Sequence, residues 1–171
     1  FAASLLMPRD DFARQLPPKS KPAFEDLGAC ADRYGVSLSA ATLRWLQFSE
    51  RRTLLVVSRD GYILWARSSP KALRTGAYIK TANMPPVEVP SRSLAAQPHL
   101  LENGKGKAEH DALGWLNEPC IEETFVSERY DTIYTLLHLG PAPSWSGHGS
   151  DTEEDSFDRM TSRPPGSSWL G

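Results

Sequence analysis

The sequence is poor in the features that would settle a chemistry. Its 171 residues include two cysteines, Cys30 and Cys120, whose separation matches no metal-binding spacing. A lone, distant pair of this kind reads as reduced thiols rather than a disulfide framework. No stretch approaches the roughly 20 apolar residues of a membrane-spanning helix, and no apolar core with a basic flank marks a secretory leader. Charge of one sign is not in excess either. Nineteen Lys and Arg against 21 Asp and Glu leave a net charge of −2, so bulk attraction to nucleic acid or acidic lipid is not the theme. What is there is ordinary globular material. A 40% hydrophobic and 23% charged composition excludes wholesale disorder, collagen and coiled coil, and the length suits one domain with or without an appendage.

Catalytic signatures are missing as well. A zincin helix needs two histidines four apart with a glutamate between them, so that both face one ion and the acid activates water. Of His99, His110, His138 and His148, only His110 follows a glutamate, and Asp111-Ala112-Leu113-Gly114 brings no second ligand. His138 sits in an apolar strand pattern and reads as a structural histidine. There is no G-x-S-x-G elbow, neither cysteine has a histidine close in sequence, and Gly104-Lys105-Gly106 is too short for a phosphate loop. Cys30, on a helical apolar stripe, reads as a small buried hydrophobe. Glu122 and Glu123 are adjacent in a strand pattern, which sends their carboxylates to opposite faces and argues against a paired acid and base. No residue is assigned a catalytic or metal-binding role.

The chain divides into three zones. Residues 1–52 carry helical periodicity. An apolar run over Phe1–Leu6 stops at Pro8, and Asp10 and Asp11 open a helix bearing Phe12, Ala13 and Leu16. A third helix carries Phe24, Leu27, Ala31 and Tyr34 and closes at Gly35; Ser37 or Ser39 caps a fourth, with Leu38, Ala41, Thr42, Trp45 and Leu46 inward. Residues 53–139 change period. Thr53–Ser58 and Tyr62–Ala66 flank Asp60-Gly61 as a hairpin, Val87–Val89 is a short extended segment, and Ser91–Gln97 forms a helical turn or two. Asn103–Gly106 reads as a loop tip, and Ile121–Ser127 with Thr132–Leu139 as a second antiparallel pair. Four or five strands with little helix between them predict an α+β fold, helices first and then a small antiparallel sheet. Residues 140–171, rich in Pro, Ser and Gly around the acidic Asp151–Asp155, lack the apolar periodicity to offset their ordering entropy and are expected to be a disordered tail.

Two segments suggest contacts with anions. Residues 24–47 have the rhythm of a helix-turn-helix: small residues at the crossing, a glycine at the turn, a serine opening the second helix. That helix is expected to offer Ser39, Ala40, Leu43 and Arg44 outward, with Arg51 and Arg52 beyond its end. Further on, Arg59, Arg67, Lys71, Arg74 and Lys80 are opposed only by Asp60. Arg44, Arg51, Arg52, Arg67, Lys71 and Arg74 are therefore the candidate nucleic-acid or anion contacts.

The opening Phe1-Ala-Ala-Ser-Leu-Leu-Met-Pro8 and the later Ala31-Asp-Arg-Tyr-Gly-Val-Ser-Leu-Ser-Ala-Ala-Thr-Leu-Arg44 together resemble the ImmA/IrrE family of zinc-dependent metallopeptidases. In that family an F-A-x-x-L-L-M-P block follows the metal-binding helices, and a Y/F-x-V-S-x-x-A-x-x-x-R segment closes the helical portion. The resemblance implies that the H-E-x-x-H helix and the acidic third zinc ligand lie upstream of Phe1, and the opening within an apolar run leads us to expect further sequence there. It implies zinc for a full-length member and none held by this chain. Leu5, Leu6 and Met7 are implied to pack, Pro8 to end a helix, and Val36 and Ser37 to set the next. It also implies a GAF-like sensor over residues 53–139, a transcriptional repressor as the cleaved partner, and a bacterial cytoplasmic setting without a membrane. The expected function is the regulatory or substrate-recognition portion of such a peptidase, inactive alone. The alternative is a small DNA-binding regulator using residues 24–47.

Overall fold

A computed structural model of the chain describes residues 6–142. The expectations for Phe1–Leu5 and for the tail from 143 onward, with Trp145, Phe157 and Trp169, lie outside the described residues. The first described helix, α1 (Arg9–Gln15), follows Pro8 and carries Asp10 and Asp11 in its first turn, where the exposed N–H groups favour negative charge. Helix α2 (Phe24–Tyr34) ends at Gly35, and α3 (Leu38–Phe48) begins at Ser37, whose hydroxyl accepts from Ala40 N at 3.2 Å. Of the two serines proposed as the cap, Ser37 does the capping.

The strands form one six-stranded antiparallel sheet. They are β1 (Thr53–Arg59), β2 (Tyr62–Ser68), β3 (Val87–Glu88), β4 (Lys105–His110), β5 (Cys120–Ser127) and β6 (Thr132–Leu139). Their spatial order is β3-β2-β1-β6-β5-β4, which puts β1 and β6 at the centre. The β1–β2 turn uses Asp60 at φ 51° and Gly61 at φ 80°, the positive-φ pair that lets a two-residue loop match strand twist.

Two elements depart from the sequence reading. Lys105–His110, expected to begin in a loop tip, is the edge strand β4, paired along its length with β5. Its Lys-Gly-Lys-Ala-Glu-His sequence lacks β-branched residues, and charge on an edge discourages pairing with foreign strands. A β-carbon at Gly106 would lie 2.5 Å from Leu101 Cδ2 and 3.0 Å from Leu94 Cδ1, so a larger residue there would have to displace those leucine side chains. The second addition is a short helix, α4 (Pro70–Arg74), started by Ser69 as cap and Pro70 in its first turn.

Burial follows the strand alternation. Leu55, Val57, Tyr134 and Leu136 face the helices, where they meet Met7, Phe12, Leu16, Phe24, Leu27, Trp45 and Leu46. Leu54, Val56, Leu137 and Leu139 face the other way, against Ala72, Ala77, Val89, Ala95 and Trp115. The helical zone and the strand zone thus share one core through the central strands. Cys30 and Cys120 are both buried free thiols, one in each apolar cluster. Burial is the leading reason that both thiols are held above their ordinary pKa, Cys120 at about 11, so neither is an activated nucleophile.

Candidate functional site

The positively charged candidates have different environments. Arg52 is buried: its guanidinium makes a two-pronged ion pair with Glu118 at 2.6 and 2.7 Å, and donates to Thr75 Oγ1 at 2.8 Å and to the Gly140 carbonyl at 3.1 Å. A fork so occupied ties β1 to the segments before β5 and after β6, and it offers nothing to a nucleic acid. Arg44 donates from Nε to the Met7 carbonyl at 3.1 Å and from Nη1 to Gln47. Arg51 is exposed and reaches the Lys19 carbonyl. Arg67 on β2 and Lys71 and Arg74 on α4 are exposed. Arg59 is spent on the Tyr130 and Asp131 carbonyls, joining the two hairpin turns at one end of the sheet.

Helix α3 does not present the face expected of a groove reader. Ser39, Ala40, Leu43 and Arg44 are half-buried, Ala41, Thr42, Trp45 and Leu46 are buried, and Gln47 alone is exposed within the helix. The bond from Arg44 to Met7 instead holds α3 to the segment preceding α1. Tyr34 adds a second tie, donating its hydroxyl to Asp11 at 2.6 Å. The polypeptide stretches around Met7 and Arg44 therefore meet in space although 37 positions separate them.

Sequence reasoning separated Glu122 from Glu123, and their contacts lie on opposite faces. Glu123 accepts from Phe24 N at 2.9 Å on the helix side, closing the start of α2 onto the sheet. Glu122 is fully buried on the far side and collects five donors. Its Oε1 accepts from Ala95 N at 3.1 Å and Thr124 Oγ1 at 2.8 Å; its Oε2 accepts from Leu94 N at 3.1 Å, Trp115 Nε1 at 3.0 Å and His110 Nε2. The carboxylate thus pins the 94–96 turn, the 111–119 loop and β4 to one point of the sheet. Nothing near Glu122 in sequence announced this, because four of the five donors come from segments 7 to 28 positions away. His110, the one histidine beside a glutamate in the sequence, is committed to this network.

Two open cavities flank these features. One, of about 590 Å³, lies between α2–α3 and the β5–β6 hairpin, with Phe24, Val36, Leu38, Phe125 and Tyr134 as its apolar lining and Asp32 and Arg129 among its polar groups. The other, of about 600 Å³, lies where the α1–α2 linker meets the ends of β4, β5 and β6. Among the described residues, no group of three or more His, Cys, Asp or Glu is arranged to hold a metal ion, and no helix is long and apolar enough to cross a membrane. No family model and no curated protein matches this chain.

Proposed function

We propose that this chain is the regulatory and substrate-recognition portion of an ImmA/IrrE-like metallopeptidase that cleaves a transcriptional repressor. The observation that carries the reading is the contact between the two family-like blocks. Arg44, the last residue of the second block, donates to the carbonyl of Met7 in the first, and Met7 itself is fully buried. Blocks that share this part-buried junction fit a scaffold supporting an adjacent catalytic helix. Zinc is supplied in this reading by residues preceding Phe1. The described residues do not fit a zinc site, so no hydrolytic step is assigned to them. The sheet takes the sensor role, GAF-like in the finer reading, and the apolar groove between α2–α3 and β5–β6 is a surface for the repressor. A bacterial cytoplasmic setting belongs to the same proposal.

The DNA-binding alternative draws less support. The half-buried α3 face and the ties of Arg44 leave few side chains free for base edges. Gel-shift titration against salt separates the two, since phosphate contacts produce a steep loss of affinity with salt. For the leading reading, zinc content and repressor cleavage are measured for this chain and for a form extended upstream. Zinc and cleavage in the extended form alone support it; cleavage by the isolated chain overturns it.

A further inference from the structure

Strand β4 is one edge of the sheet, and its outer side is only partly used. The Gly104 carbonyl accepts from Val126 N at 2.8 Å, which sets the alternation along the strand. Gly106, Ala108 and His110 bond inward to β5, whereas Lys105, Lys107 and Glu109 turn their N–H and C=O outward. Lys105 exchanges both of its outward bonds with Glu102, at 3.0 Å each. Among the described residues, nothing bonds to the outward N–H or C=O of Lys107 or Glu109. The side chains add a second pattern. Lys105, Lys107 and Glu109 are exposed, while Gly106, Ala108 and His110 are half-buried toward the far face, where His110 meets Glu122. Lys105 pairs with Glu25 at 2.6 Å, but among the described residues neither Lys107 nor Glu109 has an ion-pair partner. Glu123, opposite Lys107 on β5, accepts from Phe24 N instead. Lys21 is near enough to sense Lys107, Glu109 and Glu123, so this face holds charge of both signs. Along Lys105-Gly-Lys-Ala-Glu-His-Asp111, the first two alternate positions are basic and the next two acidic. Run antiparallel, that order is its own complement.

We propose that β4 pairs edge to edge with β4 of a second copy of this chain, antiparallel about a two-fold axis at Ala108. Lys107 of each copy then exchanges N–H···O=C bonds with Glu109 of the other, which occupies the outward groups left free. On the exposed face Lys107 stands across from Glu109 and Lys105 across from Asp111, in both directions. Opposite charges directly across a ladder stabilise it and like charges oppose it, so this register is selected over its neighbours. The charges that deter a foreign strand admit this one, because the second copy presents them in the complementary order. An open cavity of about 610 Å³, lined in part by Glu102, Lys105 and Lys107, borders the edge and leaves room for the approaching copy. Each contact occurs twice, so the assembly closes as a dimer. Glu102 at one end and the loop after His110 at the other bound the free stretch, which makes the pairing short and the dimer weak and reversible. The inference rests on β4 and not on the peptidase reading.

The test is a charge swap read by sedimentation of the full chain at low ionic strength, from about 10 μM to about 1 mM. The chain is expected to pass from monomer to dimer over that range. K107E and E109K each set like charges across the two-fold axis and should weaken the dimer at least about tenfold. The double variant K107E/E109K restores unlike neighbours and should recover the original affinity to within about threefold. K107E mixed with E109K should associate at least about tenfold more tightly than either does alone. Both substitutions fall at exposed positions, so the fold is kept. Amide exchange places the contact: the Lys107 and Glu109 amides should slow as concentration rises. A chain that stays monomeric throughout, or a dimer indifferent to the single reversals or not restored by the swap, overturns the proposal. Protection of those two amides that is independent of concentration makes a segment of the same chain the occupant, and overturns it as well.

Discussion

Replacing Glu122 by glutamine tests how far one buried carboxylate organises the far face of the sheet. Glutamine keeps the shape and one acceptor oxygen but puts an NH₂ where the other stood. Its least costly placement sets nitrogen at the Oε1 position, facing Ala95 N and Thr124 Oγ1. The Thr124 hydroxyl can turn to accept, and Thr135 Oγ1 at 3.2 Å offers it another partner, but the Ala95 N–H cannot turn. One orphaned buried N–H costs about 2 kcal/mol. The bonds from Leu94 N, Trp115 Nε1 and His110 lose their charge assistance, at about 0.7 kcal/mol each. The total is about 4 kcal/mol, a large share of the 5 to 15 kcal/mol typical of a domain. Urea unfolding followed by circular dichroism should show this loss, and the thermal midpoint should fall by about 10 °C. A loss below about 1 kcal/mol would refute the reasoning, since it would mean that the donors reach water or other acceptors at little cost.

Three further outcomes follow from the same structure. Because burial holds His138 at about 3, below its ordinary 6.5, the unfolded chain binds the extra proton between those values. Its contribution to stability is therefore complete above pH 6.5 and is lost as pH falls toward 3. His138→Gln should flatten the acid limb by up to about 1.4 kcal/mol per pH unit, measured by denaturant unfolding at several pH values. Arg52→Met leaves Glu118 without its partner and should cost about 3 kcal/mol of stability; a fully stable variant would show the ion pair to be dispensable. Gly61→Ala, at φ 80° in the β1–β2 turn, should cost about 1 kcal/mol in thermal unfolding, and no loss would place the turn in another geometry.

The parts of the fold that could be read in advance are those set by local chemistry. Pro8 and the paired aspartates mark α1, Gly35 and Ser37 mark the turn between α2 and α3, and Asp60-Gly61 marks the first hairpin. Helix α4 was open to the same reasoning, because Ser69-Pro70 is a start signal, but its five residues leave no periodicity to notice. Strand β4 was hidden by its composition; it is a strand because β5 offers a partner, not because Lys-Gly-Lys-Ala-Glu-His favours one. The site is less legible still. Arg52 looks like its neighbour Arg51 in sequence, and only Glu118, 66 positions on, turns it into a buried structural charge. The five donors of Glu122 are likewise set by tertiary placement. His138 as a buried histidine was readable from its apolar strand; the cations around it were not, since Lys21 and Lys107 come from different zones of the chain.

The central claim is that these residues support and regulate a zinc peptidase without supplying its catalytic centre. It is tested most directly by incubating a repressor with zinc and either this chain or its upstream-extended form, and following the cleavage products by mass spectrometry. The account predicts a defined cut, abolished by chelator, in the extended form and none with the 171 residues alone. Cleavage by the isolated chain, or an extended form that neither binds zinc nor cuts, would contradict it.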